Sequence, residues 1–204
     1  MIYCAERRLK LTAKIANQRI YTIHHTLYMN FRHATTADLE VLLTLSAQTM
    51  REAFGLPHNP VEITEAYIAG AFTPGQLAAE LADPRSTFLM AYTDENELVG
   101  YARLYRRTAP RRMPEPFRRA GQAIEIERLY FLQTAIGQGQ GQQLMDHCLD
   151  MARAEGYRAV WLGVWERNPR AMRFYGRNGF VRFGWHYFQF GPDRQRDFWM
   201  MRTL

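Results

Sequence analysis

Two carboxylates stand two positions apart in the mostly apolar segment Ala123 to Leu132, namely Glu125 and Glu127. Alternate residues of a strand face the same side, so we expect both carboxylates to share one face with Leu129 and Phe131. Partial burial raises the pKa of a carboxyl group, which lets it accept a proton from an amine near neutral pH. The pattern therefore favours acid–base chemistry at this strand.

A glycine-rich turn follows this strand and precedes a helical pattern that ends at Gly156. Glycines let the backbone approach a ligand, and the free N–H groups at a helix start suit a phosphate. Neither Gln142 nor Leu144 supplies the last glycine of a dinucleotide fingerprint, and no lysine follows Lys14 to serve a nucleoside triphosphate. A different phosphate ligand is expected, unless the turn only joins strand to helix.

The elements that must position these groups are predicted from hydrophobic spacing and from turn residues. Predicted strands cover residues 31–34, 88–92, 98–105, 123–132, 159–164 and 180–190, with a last strand through 198–201. Predicted helices begin at Thr35, at Thr73 with Pro74, after the glycine turn, and at Asn168 with Pro169. The segment with Pro57 and Pro60 is predicted as a loop. So is the segment 106–122, whose three prolines and six arginines form either a plain surface loop or a basic flap beside an anionic ligand.

Three motifs occur in order, and they carry a resemblance to the GNAT superfamily of N-acetyltransferases that covers about residues 29–204. The motifs are Glu125-x-x-x-Leu129-Tyr130-Phe131, Gly139-x-Gly141-x-x-Leu144, and Asn168-x-x-Ala171-x-x-Phe174-Tyr175-x-x-x-Gly179-Phe180. The front half, including Met29-Asn30-Phe31-Arg32, Asp38-Leu39, Phe72-Thr73 and Leu81-x-Asp83-Pro84, resembles the branch that acetylates polyamines such as spermidine. The resemblance implies an α/β (α+β) fold with a mostly antiparallel central sheet of six to seven strands, flanked by helices and splayed between the fourth and fifth strands.

The resemblance also implies a reaction, in which an acetyl group passes from acetyl-CoA to a primary amine by direct attack in a ternary complex. Glu125 matches the position of a base that acts directly or through water, with Glu127 as its substitute. Tyr175 matches the acid that protonates the leaving thiolate. The alternatives are that Glu125 only orients substrate or pairs with an arginine, and that Tyr175 only packs beside Phe174.

The cofactor-binding residues implied by the resemblance fall into three groups. Free backbone groups around Phe131 and Gln133 bind the pantetheine arm, and Asn168 helps to hold the cofactor unless it is only a helix cap. The pyrophosphate turn consists of Ile136, Gly137, Gln138, Gly139, Gln140 and Gly141. Ile136 replaces the Gln or Arg that is usual there, so we expect weaker acetyl-CoA affinity, with an arginine of the 106–119 loop as a compensating contact.

Composition limits the remaining classes of protein. The 204 residues are 47% hydrophobic and 23% charged, without a long apolar run, which excludes a disordered chain and a membrane-spanning one. Residues 1–28 carry five Lys or Arg against one Glu, a local +4 of the net +6. We interpret them as a basic extension of different origin, or alternatively a transit peptide, ahead of one acetyltransferase domain at 29–204. The nearly balanced body argues against a nucleic-acid partner.

Cysteines and histidines indicate no metal. Cys4 and Cys148 lack zinc-site spacing and the histidines are scattered, so we expect no metal and a reducing, cytoplasmic compartment. The predicted acceptor is a small polyamine-like amine, and a homodimer is compatible with the resemblance. Two alternatives are acetylation of a protein N-terminal or other amine, and a non-catalytic acyl-CoA-binding module, which Ile136 favours.

Overall fold

The computed structural model describes residues 28–204 of the chain. Within them, seven strands form one sheet in the order β1-β2-β3-β4-β5-β7-β6. The strands are β1 Asn30–His33, β2 Ser86–Tyr92, β3 Leu98–Tyr105, β4 Ala123–Phe131, β5 Ala159–Trp165, β6 Val181–Phe190 and β7 Asp193–Thr203. Every neighbouring pair is antiparallel except β4 with β5.

Five α-helices of the described residues flank the sheet: α1 Leu39–Phe54, α2 Val61–Ala71, α3 Pro74–Ala82, α4 Gln140–Ala154 and α5 Pro169–Arg177. The start of α3 is set locally, because Thr73 Oγ1 accepts a hydrogen bond from Gln76 N and Pro74 occupies the first turn. Helix α2 lies where a loop was expected after Pro60. It forms because Ile68 and its neighbours bury an apolar stripe against α1 and β6.

Both faces of the sheet are covered, and alternate residues of β2 show it. Leu89 and Ala91 pack in the cluster that contains α4 and α5, whereas Phe88 and Met90 pack in the cluster that contains α1 and α3. Burial on both faces explains why β2 reads as a nearly continuous apolar run.

The parallel pairing of β4 with β5 ends early. Its register covers Ala123 with Ala159, Ile124 with Val160 and Glu125 with Trp161, and no later residue of β4 pairs with β5. The two strands then diverge, which opens the sheet on the carboxyl side of Glu125. The predicted mixed fold, splayed between its fourth and fifth strands, is confirmed.

A β-bulge at Glu127 corrects one prediction. Arg103 and Leu104 are consecutive on β3, but they pair with Arg128 and Ile126, so Glu127 is an extra residue in β4. The alternation reverses at this point. Leu129 and Phe131 therefore pack in the core beside Ile126 and do not share the face of Glu125, as the uninterrupted strand pattern predicted.

The predicted basic extension, residues 1–28, lies outside the described residues except for Tyr28. Between residues 28 and 204, no helix combines the length and the apolar character that crossing a bilayer requires. The same residues contain no group of three or more His, Cys, Asp or Glu side chains arranged to hold a metal ion.

Candidate active site

A cavity of about 780 Å³ occupies the splay between β4 and β5. Its walls include Glu125 from β4, Tyr175 from α5, and Gly137, Gly139 and Gly141 from the turn before α4. The structure thus brings the three predicted groups, a carboxylate, a phenol and a glycine turn, to one continuous space.

Glu125 lies at the last paired position of β4, and it is only 5% exposed. Arg107 Nε is 2.8 Å from its Oε2, although Oε2 is buried and accepts no hydrogen bond of good geometry within residues 28–204. Burial raises the pKa of Glu125 to about 8, against the lowering effect of the Arg107 charge. A carboxylate with this pKa is suited to accept a proton near neutral pH.

Glu127 keeps the orientation expected for it, but it is engaged in a network. Its carboxylate forms a short ion pair with Arg103 Nη1 and lies 4.0 Å from Arg107 Nη1. Arg103 in turn contacts Glu80 of α3 at 3.2 Å. Glu127 is thus paired with Arg103, and of the two carboxylates Glu125 is the stronger candidate for a base.

Tyr175 lies on α5 between two aromatic rings, with centroids 5.4 Å from Phe174 and 5.8 Å from Phe180. Burial raises the pKa of its phenol to about 12, with the nearby Cys148 thiol adding to the effect. The phenol therefore keeps its proton at neutral pH. Tyr175 both packs in the core and lines the cavity, so the two interpretations of this residue are compatible.

The glycine turn has the geometry of an anion site. Gly137 and Gly139 have φ of +101° and +82°, which favour glycine, and a Cβ added at either would meet no atom within 4 Å. No backbone hydrogen bond within the described part of the chain uses the N–H of Gly137, Gln138 or Gly139. Helix α4 begins at Gln140, directly behind these free N–H groups, so its dipole adds positive potential.

Ile136 is 37% exposed at the start of this turn and offers no polar contact. Three of the loop arginines pair with carboxylates of the protein: Arg106 with Glu155, Arg107 with Glu125 and Arg118 with Glu115. The compensating contact from this loop stays a prediction, and these three side chains would have to exchange their carboxylate partners to make it.

Two further cationic side chains line the cavity that contains the glycine turn, namely Arg170 and Arg177 of α5. They were missed from sequence, although their seven-residue spacing on a helix places both on one face. The 106–122 loop also reaches the cavity, through Arg107, whose side chain contacts the carboxylate of Glu125.

The remaining cofactor-binding predictions have mixed outcomes. The Gln133 N–H, expected to be free for the pantetheine arm, donates to Glu52 Oε2 at 2.6 Å. Phe131 lines the cavity from the unpaired end of β4. Asn168 also lines it and caps α5, since its Oδ1 accepts a hydrogen bond from Ala171 N at 2.9 Å.

The far end of the cavity is formed by β6 and β7 and was not predicted from sequence. His186 and Asp197 are cross-strand partners there, and both line the cavity. A Cβ on Gly163 of β5 would lie 3.6 Å from both His186 Nε2 and Asp197 Oδ2, so these two atoms face the same point.

Comparison with known proteins identifies the family. The model of the acetyltransferase (GNAT) family matches residues 47–180. An uncharacterized N-acetyltransferase from the pepI 3′ region of Lactobacillus delbrueckii subsp. lactis is 31% identical over 167 residues, which are 82% of this chain and 92% of that protein. This chain belongs to the GNAT family. Another relative, from Mycobacterium bovis, is 31% identical over 82% of this chain and 98% of its own length.

Solved structures agree with this family fold. The PaiA N-acetyltransferase of Thermoplasma acidophilum, solved with coenzyme A, has a TM-score of 0.67 at 19% identity and covers 87% of this chain and 100% of its own. A probable acetyltransferase of Staphylococcus epidermidis has a TM-score of 0.66 at 16% identity, over 86% and 99% of the two chains. The GNAT chain is thus an acyltransferase with acetyl-CoA as its co-substrate, while its polyamine specificity stays a prediction.

Proposed function

We propose that this GNAT enzyme transfers the acetyl group of acetyl-CoA directly to a primary amine in a ternary complex, with Glu125 as the base and Tyr175 as the acid. The observation that carries the proposal is that the buried carboxylate of Glu125 and the Tyr175 phenol line one cavity with the free N–H groups of the glycine turn.

The donor site consists of the turn 136–141. Free N–H groups of Gly137, Gln138 and Gly139 hold the diphosphate against the start of α4, and Arg170 and Arg177 add positive charge. Phe131, Gln133, Gln140, Gly141 and Asn168 complete the set of proposed cofactor contacts. For Gln133, the bond to Glu52 has to open before its N–H can bind the pantetheine arm.

The chemical step needs two proton transfers. A primary amine has a pKa near ~10 and is mostly protonated at neutral pH, so a base must remove a proton before attack. Glu125 takes that proton, the amine nitrogen bonds to the acetyl carbon, and the C–S bond breaks. The thiolate leaves with the electron pair and takes a proton from Tyr175, and Tyr175 regains a proton from the new amide nitrogen, so the products are an N-acetyl amine and free coenzyme A.

The acceptor is the finer part of the proposal. The resemblance implies a polyamine-like amine, and four carboxylates line the cavity, of which Glu80, Glu125 and Glu127 pair with arginines and Asp197, among the described residues, does not. A protein N-terminal amine is the alternative acceptor.

Release of free thiol with a panel of amines, followed by mass spectrometry of the products, tests the function. We expect thiol release that depends on both acetyl-CoA and amine, and a loss of about 10²–10⁴-fold in kcat for Glu125→Gln. Binding of acetyl-CoA without transfer to any amine would instead identify a non-catalytic acyl-CoA-binding protein.

A further inference from the structure

The acceptor end of the cavity has a polar rim and an aromatic wall. Pairing between strands puts Trp165 of β5, Asp197 of β7 and His186 of β6 side by side on one face of the sheet. Phe188 and Phe190 continue that face along β6, because residues two apart share a face. This end of the cavity thus carries a carboxylate and an imidazole beside a row of aromatic rings.

The aromatic wall is closed by residues of the helices. Tyr67 of α2 stacks on Phe190 with centroids 4.5 Å apart, and it lies 5.7 Å from Phe188. Phe54 of α1 contacts Phe190 at 5.7 Å and Trp165 at 5.9 Å. All five rings line the cavity, so they form an apolar wall against which an aromatic ligand can pack.

One carboxylate of the cavity is available to pair with a bound cation. Glu80 is held by Arg128, Glu127 by Arg103 and Glu125 by Arg107. Asp197 is the remaining carboxylate of the cavity, and no ion pair within residues 28–204 includes it. A polyamine carries several ammonium groups, each needing a partner when desolvated, whereas a monoamine needs one.

The groups around Asp197 suit a single primary ammonium. His186 Nδ1 lies 3.1 Å from the carbonyl oxygen of Tyr187, and since a carbonyl only accepts hydrogen bonds, Nδ1 carries the proton. Nε2 then keeps a lone pair and faces the same point as Asp197 Oδ2. Burial lowers the pKa of His186 and raises that of Asp197 to about 6, so at pH 7 to 8 the imidazole is neutral and the carboxylate is ionised.

We propose, on the basis of the function proposed above, that the acceptor is an arylalkyl monoamine. Its ammonium group binds Asp197 Oδ2 and His186 Nε2, and its ring lies against Phe188 and Phe190. Glu125 pairs with Trp161, which lies two residues before Gly163 on the same face of β5, so the bound nitrogen lies on the face of the sheet that carries the base.

Thiol release with 2-phenylethylamine, spermidine and a tripeptide with a free N-terminus tests this acceptor class on the full chain. We expect the highest kcat/KM for 2-phenylethylamine. Asp197→Asn should raise KM for this amine about tenfold with little change in kcat, because it removes one charge-assisted contact. Asp193→Asn, which removes the same charge from an exposed position of β7, is the matched control and should have no effect.

A second pair of variants tests the ring. Phe188→Leu should lower the preference for 2-phenylethylamine over butylamine, whereas Tyr187→Leu, on the opposite and exposed side of β6, should preserve it.

A higher kcat/KM for spermidine or the tripeptide, no transfer to 2-phenylethylamine, or an unchanged KM in Asp197→Asn would overturn the acceptor class. Transfer to another amine of the panel would refute the acceptor class alone. The proposed function fails if acetyl-CoA does not bind, as measured by calorimetry, or if it binds and is transferred to no amine.

Discussion

Arg107 Nε lies 2.8 Å from Glu125 Oε2, at the point where β4 and β5 part. The arginine lowers the pKa of the carboxyl group, but burial has the larger effect and raises it to about 8. Arg107 comes from a loop and its side chain is 44% exposed, so its charge is screened by solvent. The pair therefore leaves Glu125 with a pKa that suits the base of the proposed reaction.

Removing the arginine should shift the pH profile of the reaction. The change Arg107→Gln removes the positive charge that lowers the pKa of Glu125, so this pKa rises. We therefore expect the rising limb of kcat against pH to move to higher pH. Arg106→Gln, whose side chain pairs with Glu155, is the control and should keep the wild-type profile. An unchanged limb would show that Arg107 does not act on the base, and a shift to lower pH would contradict the predicted sign.

The raised pKa of Glu125 should also appear in stability. A group whose pKa is higher in the folded than in the unfolded state stabilises the fold below its unfolded pKa, near 4.5, and this contribution is lost as pH rises through 8. Glu125→Gln removes this titration. We expect its Tm to equal that of the wild type near pH 4 and to exceed it increasingly toward pH 9, whereas the exposed change Glu95→Gln should give no such trend. Parallel Tm curves would mean that Glu125 is not desolvated.

Tyr175→Phe keeps the ring packing against Phe174 and Phe180 and removes only the hydroxyl. We expect a fall in kcat of roughly 10²-fold, since general acid catalysis is lost, with an unchanged Kd for acetyl-CoA. Tyr157→Phe removes a hydroxyl from a residue outside the cavity and serves as the comparison. Wild-type turnover in Tyr175→Phe would leave this residue with a packing role.

The donor site can be tested at Gly139 with a control at the other end of the same helix. Gly139 and Gly156 both have φ of +82° and open space around them, so an aspartate at either carries similar backbone strain. Gly139→Asp should raise the Kd for acetyl-CoA about 100-fold or more, because like charges in contact cost several kcal/mol. Gly156→Asp should destabilise the fold and bind acetyl-CoA normally. Equal affinities in the two variants would contradict a diphosphate at the turn.

The two arginines of α5 give the last prediction. Arg177→Ala should weaken acetyl-CoA binding about tenfold and reduce its salt dependence, as expected for the loss of a charged contact to phosphate. Arg173→Ala, an exposed change on the same helix outside the cavity, should have little effect. Calorimetry at two salt concentrations measures both effects, and identical values for the two variants would exclude Arg177 from the donor site.

Local signals in the sequence predicted much of the fold. Proline and capping residues marked the starts of α3 and α5, and Gly156 marked the end of α4. Helix α2 was missed because Pro57 and Pro60 suggested a longer loop. Its stability comes from packing against distant strands, which no local pattern reveals.

Features that depend on contacts between distant residues were not predicted from the sequence. The bulge at Glu127 follows from pairing with β3, and the Glu52 bond to Gln133 N joins residues 81 positions apart. His186 and Asp197 meet only through the register of the β6–β7 hairpin, so a histidine that looks isolated in the sequence lies in the cavity. The motif residues were predictable because a turn and a helix start are local structures.

An amide-resolved NMR titration of the ¹⁵N-labelled chain with coenzyme A tests the central claim most directly. If the free N–H groups of the turn hold the diphosphate, the amide signals of Gly137, Gln138 and Gly139 should shift strongly and saturate together with binding, since a new hydrogen bond to phosphate alters an amide proton directly. Signals of the β2–β3 hairpin, residues 93–97, should stay in place. Saturable binding that leaves the three turn amides unmoved would contradict the claim.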